Sequence, residues 1–216
     1  MIRLNFNAMP GRALRILCLG AHSDDIEIGC GGTILHLREQ HPNCAFEWVV
    51  FSAAGVREAE ALRGAESFAG LTRERVALRK FRDGFMPFEG AEVKAVFEEL
   101  KSAISPDLIF THNRDDVHQD HRLIAELTWQ TFRDHLILEY EIPKYDGDIG
   151  RPNVYVPLKP ELGQTKAQWI FETFESQRTK RWFQERTFLS LMRLRGMECN
   201  APSGIGEAFY CRKITL

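Results

Sequence analysis

What most constrains this chain is an alternation that fills its first two-thirds. Short apolar, β-branched or aromatic runs are each followed by a longer amphipathic segment of helical spacing. Strands are expected at Leu14–Leu19, Phe46–Ser52, Val76–Phe81, Asp107–Thr111 and Leu136–Glu141, and helices at Gly32–Gln40, Glu58–Ala69, Ala91–Ile104 and His118–Arg133. The third helix puts Val93, Val96, Phe97, Leu100 and Ile104 at 3-4 spacing, one apolar stripe. Strands joined by helical crossovers run parallel and cross right-handed. The pattern therefore predicts an α/β fold: one doubly wound, mostly parallel, Rossmann-like sheet with helices on both faces and a site at the C-terminal ends of its strands.

At 216 residues, about 70% of the unfolded chain's surface can be buried, enough for one full core without staples. We read residues 1–216 as a single domain, with the doubly wound core over about 1–141 and a different organisation over about 142–216. There Gly147, Gly150, Pro152, Pro157 and Pro160 punctuate an irregular stretch. An aromatic-rich helical pair is expected at Gln164–Glu175 and Thr179–Arg195, and a closing strand at Ala208–Arg212.

Charge and cysteines narrow the partners. With 28 Lys+Arg against 30 Asp+Glu, no electrostatic case exists for nucleic acid or an anionic membrane. The densest basic stretch, Arg178 to Arg186, contains Glu185 and reads as a solvated helix face. Five cysteines (Cys18, Cys30, Cys44, Cys199, Cys211) form no CxxC pair and cannot complete an intrachain disulfide set, so a reducing, cytoplasmic setting is expected. The one signal-peptide candidate, Met1 to Ala21, has its short apolar run interrupted by Arg15. No uncharged apolar run approaches the ~20 residues of a membrane span.

Two motifs could carry chemistry. Gly20-Ala21-His22-Ser23-Asp24-Asp25-Ile26-Glu27-Ile28-Gly29 stands where the first strand ends, and Thr111-His112-Asn113-Arg114-Asp115-Asp116-Val117-His118-Gln119-Asp120-His121-Arg122 where the fourth ends. Helix capping would use one carboxylate of each. It does not explain adjacent Asp residues beside a His, or three His and three Asp within ten residues. On a helix beginning near His118, His118 and His121 share a face. Mixed His/Asp donors without thiolates suit Zn²⁺ or another borderline divalent ion such as Fe²⁺, and three protein ligands leave a position for water.

The pair of motifs resembles the PIG-L/LmbE-like family of zinc-dependent N-deacetylases, whose first motif reads A-H-P-D-D and whose second ends H-x-D-H. The resemblance runs from the first strand through the Asp83-Gly84 turn to Glu207-Ala208-Phe209. It implies His22, Asp25 and His121 as metal ligands, Asp24 as general base, and His118 as the second catalytic group. Asp120 is implied as the carboxylate supporting the histidines, and Arg57 as a contact to sugar hydroxyls. A protonated His118, its pKa raised by neighbouring carboxylates, is expected to hold the oxyanion. An Arg57–Glu60 ion pair is the alternative for Arg57. Two departures stand out: Ser23 replaces the usual Pro, and Asp116 stands where some members carry a Tyr.

The function so implied is zinc-dependent hydrolysis of the acetyl group from an N-acetylated amino sugar, such as an N-acetylglucosamine derivative, alone or in a glycoconjugate. Hydrolysis of another acylated amine or an ester is the nearest alternative, and a non-catalytic sugar-binding protein on the same scaffold is the next. A dinucleotide-binding oxidoreductase is disfavoured, because Gly29-Cys30-Gly31-Gly32 is followed by Ile34 where the last Gly of GxGxxG belongs. Trp169, Phe171, Phe174, Trp182, Phe183, Phe188 and Leu191 read as core or as a surface for a homo-oligomer. Substrate specificity is expected in the strand-end loops and in Glu141 to Leu162.

Overall fold

In the computed structural model, which describes residues 12–215, the chain runs β1 (Arg15–His22), α1 (Asp25–Gln40), β2 (Ala45–Ser52), α2 (Val56–Ala69), β3 (Val76–Leu78), α3 (Gly90–Ala103), β4 (Leu108–His112), α4 (Gln119–Thr131), β5 (Leu136–Tyr140), β6 (Val154–Pro157), α5 (Pro160–Thr173), α6 (Glu185–Glu198) and β7 (Gly206–Tyr210). The strands form one mixed sheet in the order β3-β2-β1-β4-β5-β7-β6. β1 to β5 are parallel, while β7 runs antiparallel to both β5 and β6. The order reverses between β1 and β4, so the crevice of an open α/β sheet opens between the two strands that end in the motifs.

Strand periodicity sorts the core into two layers. Ile16, Cys18, Trp48, Val50 and Phe110 face one side, where α1, α2, α5 and α6 bring Ile34, Phe68, Ile170 and Phe188. Leu17, Leu19, Val49, Phe51 and Ile109 face the other, against Val93 and Phe97 of α3 and Ile124 of α4. Burying each such side chain contributes about 1.5–3 kcal/mol, which fixes the strand ends, and hence the motifs, in place.

Several boundaries differ from the sequence expectation. α1 begins at Asp25, not Gly32, because the glycine run lies inside the helix as a contact surface: a Cβ on Gly29 would meet the Tyr140 ring at 2.2 Å. Lys166 and Glu207 reach into the middle of this helix. Lys166 Nζ donates to the Ile28 carbonyl at 2.6 Å, Glu207 accepts the amides of Gly32 and Thr33 at 2.9 and 2.6 Å, and the two side chains form an ion pair. Gly32, where the sequence suggests a helix start, is thus a point at which a carboxylate does meet backbone amides.

β3 is three residues long, shorter than Val76–Phe81, and the irregular stretch hides β6 on the sheet edge. α5 starts earlier than Gln164, at Pro160, in the first-turn position that proline suits. α6 starts later than Thr179, at Glu185. The basic stretch from Arg178 to Gln184 is therefore a turn rather than a helix face. Part of the signal-peptide candidate, residues 1–11, lies outside the described residues. Among those described, no helix is long and apolar enough to cross a membrane.

Candidate metal centre and active site

β1 delivers His22 as its last residue, and the chain turns at once through Ser23 and Asp24 into α1. The His22 amide donates to Asp25 Oδ2 at 2.6 Å, which folds that carboxylate back beneath the imidazole. Asp24 occupies the N-cap position of α1 but makes no side-chain capping bond. Its Oδ1 accepts from Arg57 Nη2 at 3.2 Å instead.

Next to β1, β4 ends at His112, and a short loop leads to α4. His118 is the N-cap of α4, its Nδ1 accepting the Asp120 amide at 3.3 Å. One turn on, His121 faces the end of β1. Asp120 is fully buried: its Oδ1 accepts the Met86 amide at 3.1 Å, and its Oδ2 accepts the Gly84 amide at 2.7 Å and lies 3.1 Å from His22 Nε2. The turn after β3 thereby locks the second motif to the first.

These partners favour one tautomer of each neutral imidazole. With His22 Nε2–H directed to Asp120 and His121 Nδ1–H to Asp116 Oδ2 at 2.9 Å, His22 Nδ1 and His121 Nε2 present lone pairs when both rings are neutral. They do so toward each other, 3.1 Å apart, and toward Asp25 Oδ2 at 3.3 and 3.6 Å. With both rings neutral these three acceptors repel unless a cation sits among them, and with His22 protonated its Nδ1–H takes the place of that cation. A tetrahedral ion with donors at ~2.0–2.2 Å separates them by about 3.3–3.6 Å, so the donor set fits a divalent metal.

The surrounding charges fit this reading. Burial raises the Asp25 carboxyl, yet His121, His112 and His22 hold it well below the usual carboxylate range. Burial lowers His22, but Asp25 and Asp120 bring it well above an ordinary imidazole, because the cluster favours positive charge. His121 is pushed down to about 4, chiefly by burial and by His112. Asp24 is raised, first by burial and then by Asp25, with Arg57 opposing.

Each residue singled out from the sequence can now be placed. His22, Asp25 and His121 converge, and Asp24 adjoins them with its carboxylate on Arg57. His118 offers a ring nitrogen within 4.8 Å of those of His22 and His121. Its expected upward pKa shift is not what the structure shows: burial, and then the nearby His22, lower it. The Asp120 carboxylate meets His22 and lies within 4.8 Å of a His118 ring nitrogen. The Arg57–Glu60 pair is absent: Arg57 bridges Asp24 and Asp83, at 3.2 and 3.0 Å. Glu60 is buried elsewhere, accepting from the amide and hydroxyl of Ser176. Ser23 is buried with its hydroxyl 3.5 Å from the Ser52 carbonyl.

Sequence reasoning assigned no role to three residues here. Asp116 orients His121. Asp83 lies 3.1 Å from His22 Nε2 at the mouth. His112, fully buried, stacks on His121 with ring centroids 3.9 Å apart and accepts the Ala21 amide at 2.9 Å. Their signal was only their place, at the ends of β3 and β4.

Fold and site together define an open α/β protein whose switch point gathers a cluster of His and Asp side chains able to hold a divalent metal ion. The family model described as GlcNAc-PI de-N-acetylase, PIG-L, matches residues 17–132, and the chain belongs to that family of deacetylases. Solved structures share the fold. A conserved protein of Thermus thermophilus is 17% identical over 94% of this chain and 96% of its own, with a TM-score of 0.73. The N,N'-diacetylchitobiose deacetylase of Pyrococcus horikoshii is 18% identical over 93% and 84%, at 0.67. The 4-carboxy-2-hydroxymuconate hydratase of Pseudomonas putida is 16% identical over 94% and 98%, at 0.68.

Proposed function

We propose that this protein is a zinc-dependent deacetylase that removes the acetyl group from an N-acetylated amino sugar or glycoconjugate. One observation carries the reading: the lone pairs of His22 Nδ1, His121 Nε2 and Asp25 Oδ2 converge beside a carboxylate, Asp24, that is not among the donors. These three residues would hold the metal, which, when bound, makes water acidic and polarises a carbonyl.

The remaining work falls to the chain's own groups. Amide hydrolysis needs a proton taken from water, a developing oxyanion held, and a proton given to the departing nitrogen. On this reading Asp24 takes the first proton and returns it to nitrogen as the carbon–nitrogen bond breaks. Arg57 holds that carboxylate from the far side. His118 has Nδ1 committed to a backbone amide, so its free nitrogen, Nε2, bears the proton of the neutral ring. That N–H is a donor for the oxyanion without an imidazolium being required. On this reading the Arg57–Asp83 pair at the mouth meets sugar hydroxyls.

Metal analysis together with acetate release from a panel of N-acetylated sugars tests this reading. Zinc binding with acetate release from at least one panel member, faster than from the matching O-acetyl esters, is expected. A zinc-loaded protein that cleaves only the esters would move the reading to the alternative hydrolase, and one that binds the sugars without turnover would move it to a binding protein.

A further inference from the structure

The loop between β5 and β6 was expected to carry specificity, yet its best-buried cation turns inward. Lys144 sits on this loop with its side chain only 10% exposed. Its Nζ lies 3.1 Å from Asp116 Oδ1, is ion-paired with Asp148, and is 3.9 Å from Asp146. Asp116 is the carboxylate whose other oxygen receives His121 Nδ1–H at 2.9 Å. We infer that Lys144 is a positioning residue for the metal centre, acting through Asp116 to hold His121 in the ring orientation and tautomer that present Nε2 to the cation.

The physical case begins with Asp116. Its carboxylate is buried: Oδ1 accepts the His118 amide at 2.8 Å and meets Lys144 Nζ at 3.1 Å, and Oδ2 takes His121 Nδ1–H, so removing the lysine leaves a single backbone amide to hold Oδ1 and loosens the carboxylate that orients the ring. The loop that presents Lys144 is itself tied down. Glu141 receives two bonds from Arg195, at 2.9 and 2.7 Å, and one from Tyr210 at 3.0 Å, while Arg195 also donates to the Gly150 carbonyl at 3.1 Å. Asp148 accepts the Val117 amide at 3.0 Å, joining this loop to the one before α4. A ligand presented by the doubly wound core is therefore braced by the C-terminal third of the chain.

The inference rests on the metal site of the proposed function, so its test reads metal affinity, not deacetylation. Zinc affinity of the metal-free full chain is measured by competition with a chromophoric chelator, with thermal unfolding and circular dichroism recorded alongside. Removing a partner of a metal ligand typically costs 10–100-fold in affinity. Lys144→Met, one contact further out, should weaken zinc by about tenfold, and Lys144→Arg should restore most of the loss. Lys144→Gln carries the same expectation if the Met variant folds poorly. In an Asp116→Asn background, Lys144→Met should cost nothing more, because the two act in series. Wild-type affinity in Lys144→Met or Lys144→Gln, or losses that multiply in the double variant, would overturn the inference. A wild-type chain that binds no zinc would instead overturn the metal reading beneath it.

Discussion

Two clusters of buried charge in this molecule are treated differently. Behind α1, Lys166 meets Glu207 and Arg195 meets Glu141, and spare valences go to backbone groups such as the Ile28 carbonyl and the Gly32 and Thr33 amides. At the ends of β1 and β4, the nearby cations are spent on outer carboxylates: Arg57 on Asp24 and Asp83, Lys144 on Asp116 and Asp148. Neither pairs with Asp25, whose Oδ2 is left to the imidazoles of His112, His22 and His121 at 3.2, 3.3 and 3.6 Å. Charges that the chain neutralises itself hold the fold together, and those it leaves facing one another mark where a cation belongs.

That contrast can be broken experimentally, and the largest effect is expected at a ligand. His121→Ala should lose both the metal and measurable turnover, read by metal content per chain and acetate release. Full metal occupancy in that variant would remove the distinction between the two clusters. Asp24→Asn should keep the metal and cut turnover by about 10²–10⁴-fold, because the amide preserves shape and cannot accept a proton. Near-normal turnover on a substrate the wild type cleaves would take Asp24 out of the role of base. Lys166→Met belongs to the other cluster. It should cost about 3–5 kcal/mol in chemical denaturation by stranding Glu207, with zinc affinity of the folded fraction unchanged. His118→Ala should be the mildest, lowering turnover by about 10²–10³-fold with metal retained. If that variant came out metal-free, His118 would be a ligand and the division of roles between the two histidines would fall.

Local patterns made the sheet and the donor residues legible in the sequence. β-branched and aromatic runs marked β1 to β5, and the His and Asp clusters at two strand ends marked the centre. Features that depend on distant contacts were hidden. The glycines of α1 look like a loop until the Tyr140 ring is seen against Gly29. β6 is a short, half-buried edge strand whose run Val154-Tyr155-Val156 is enclosed by the turn signals of Pro152 and Pro157. Asp116 and Lys144 lie far apart in sequence, and only the β5–β6 loop folding back over α4 joins them through Asp148 and Val117. His118 reads as a cation among carboxylates in sequence. In the fold its Nδ1 is taken by a backbone amide and its ring is half-buried, which favours the neutral form.

Zinc titration of the metal-free wild-type chain beside Asp25→Asn and Asp24→Asn tests the central claim most directly. The account expects one zinc per wild-type chain and the same stoichiometry with similar affinity in Asp24→Asn. In Asp25→Asn it expects binding weakened beyond the ~10–100-fold that loss of an outer partner costs. Asp25→Asn binding zinc as tightly as the wild type, or a wild-type chain that takes up none, would contradict it.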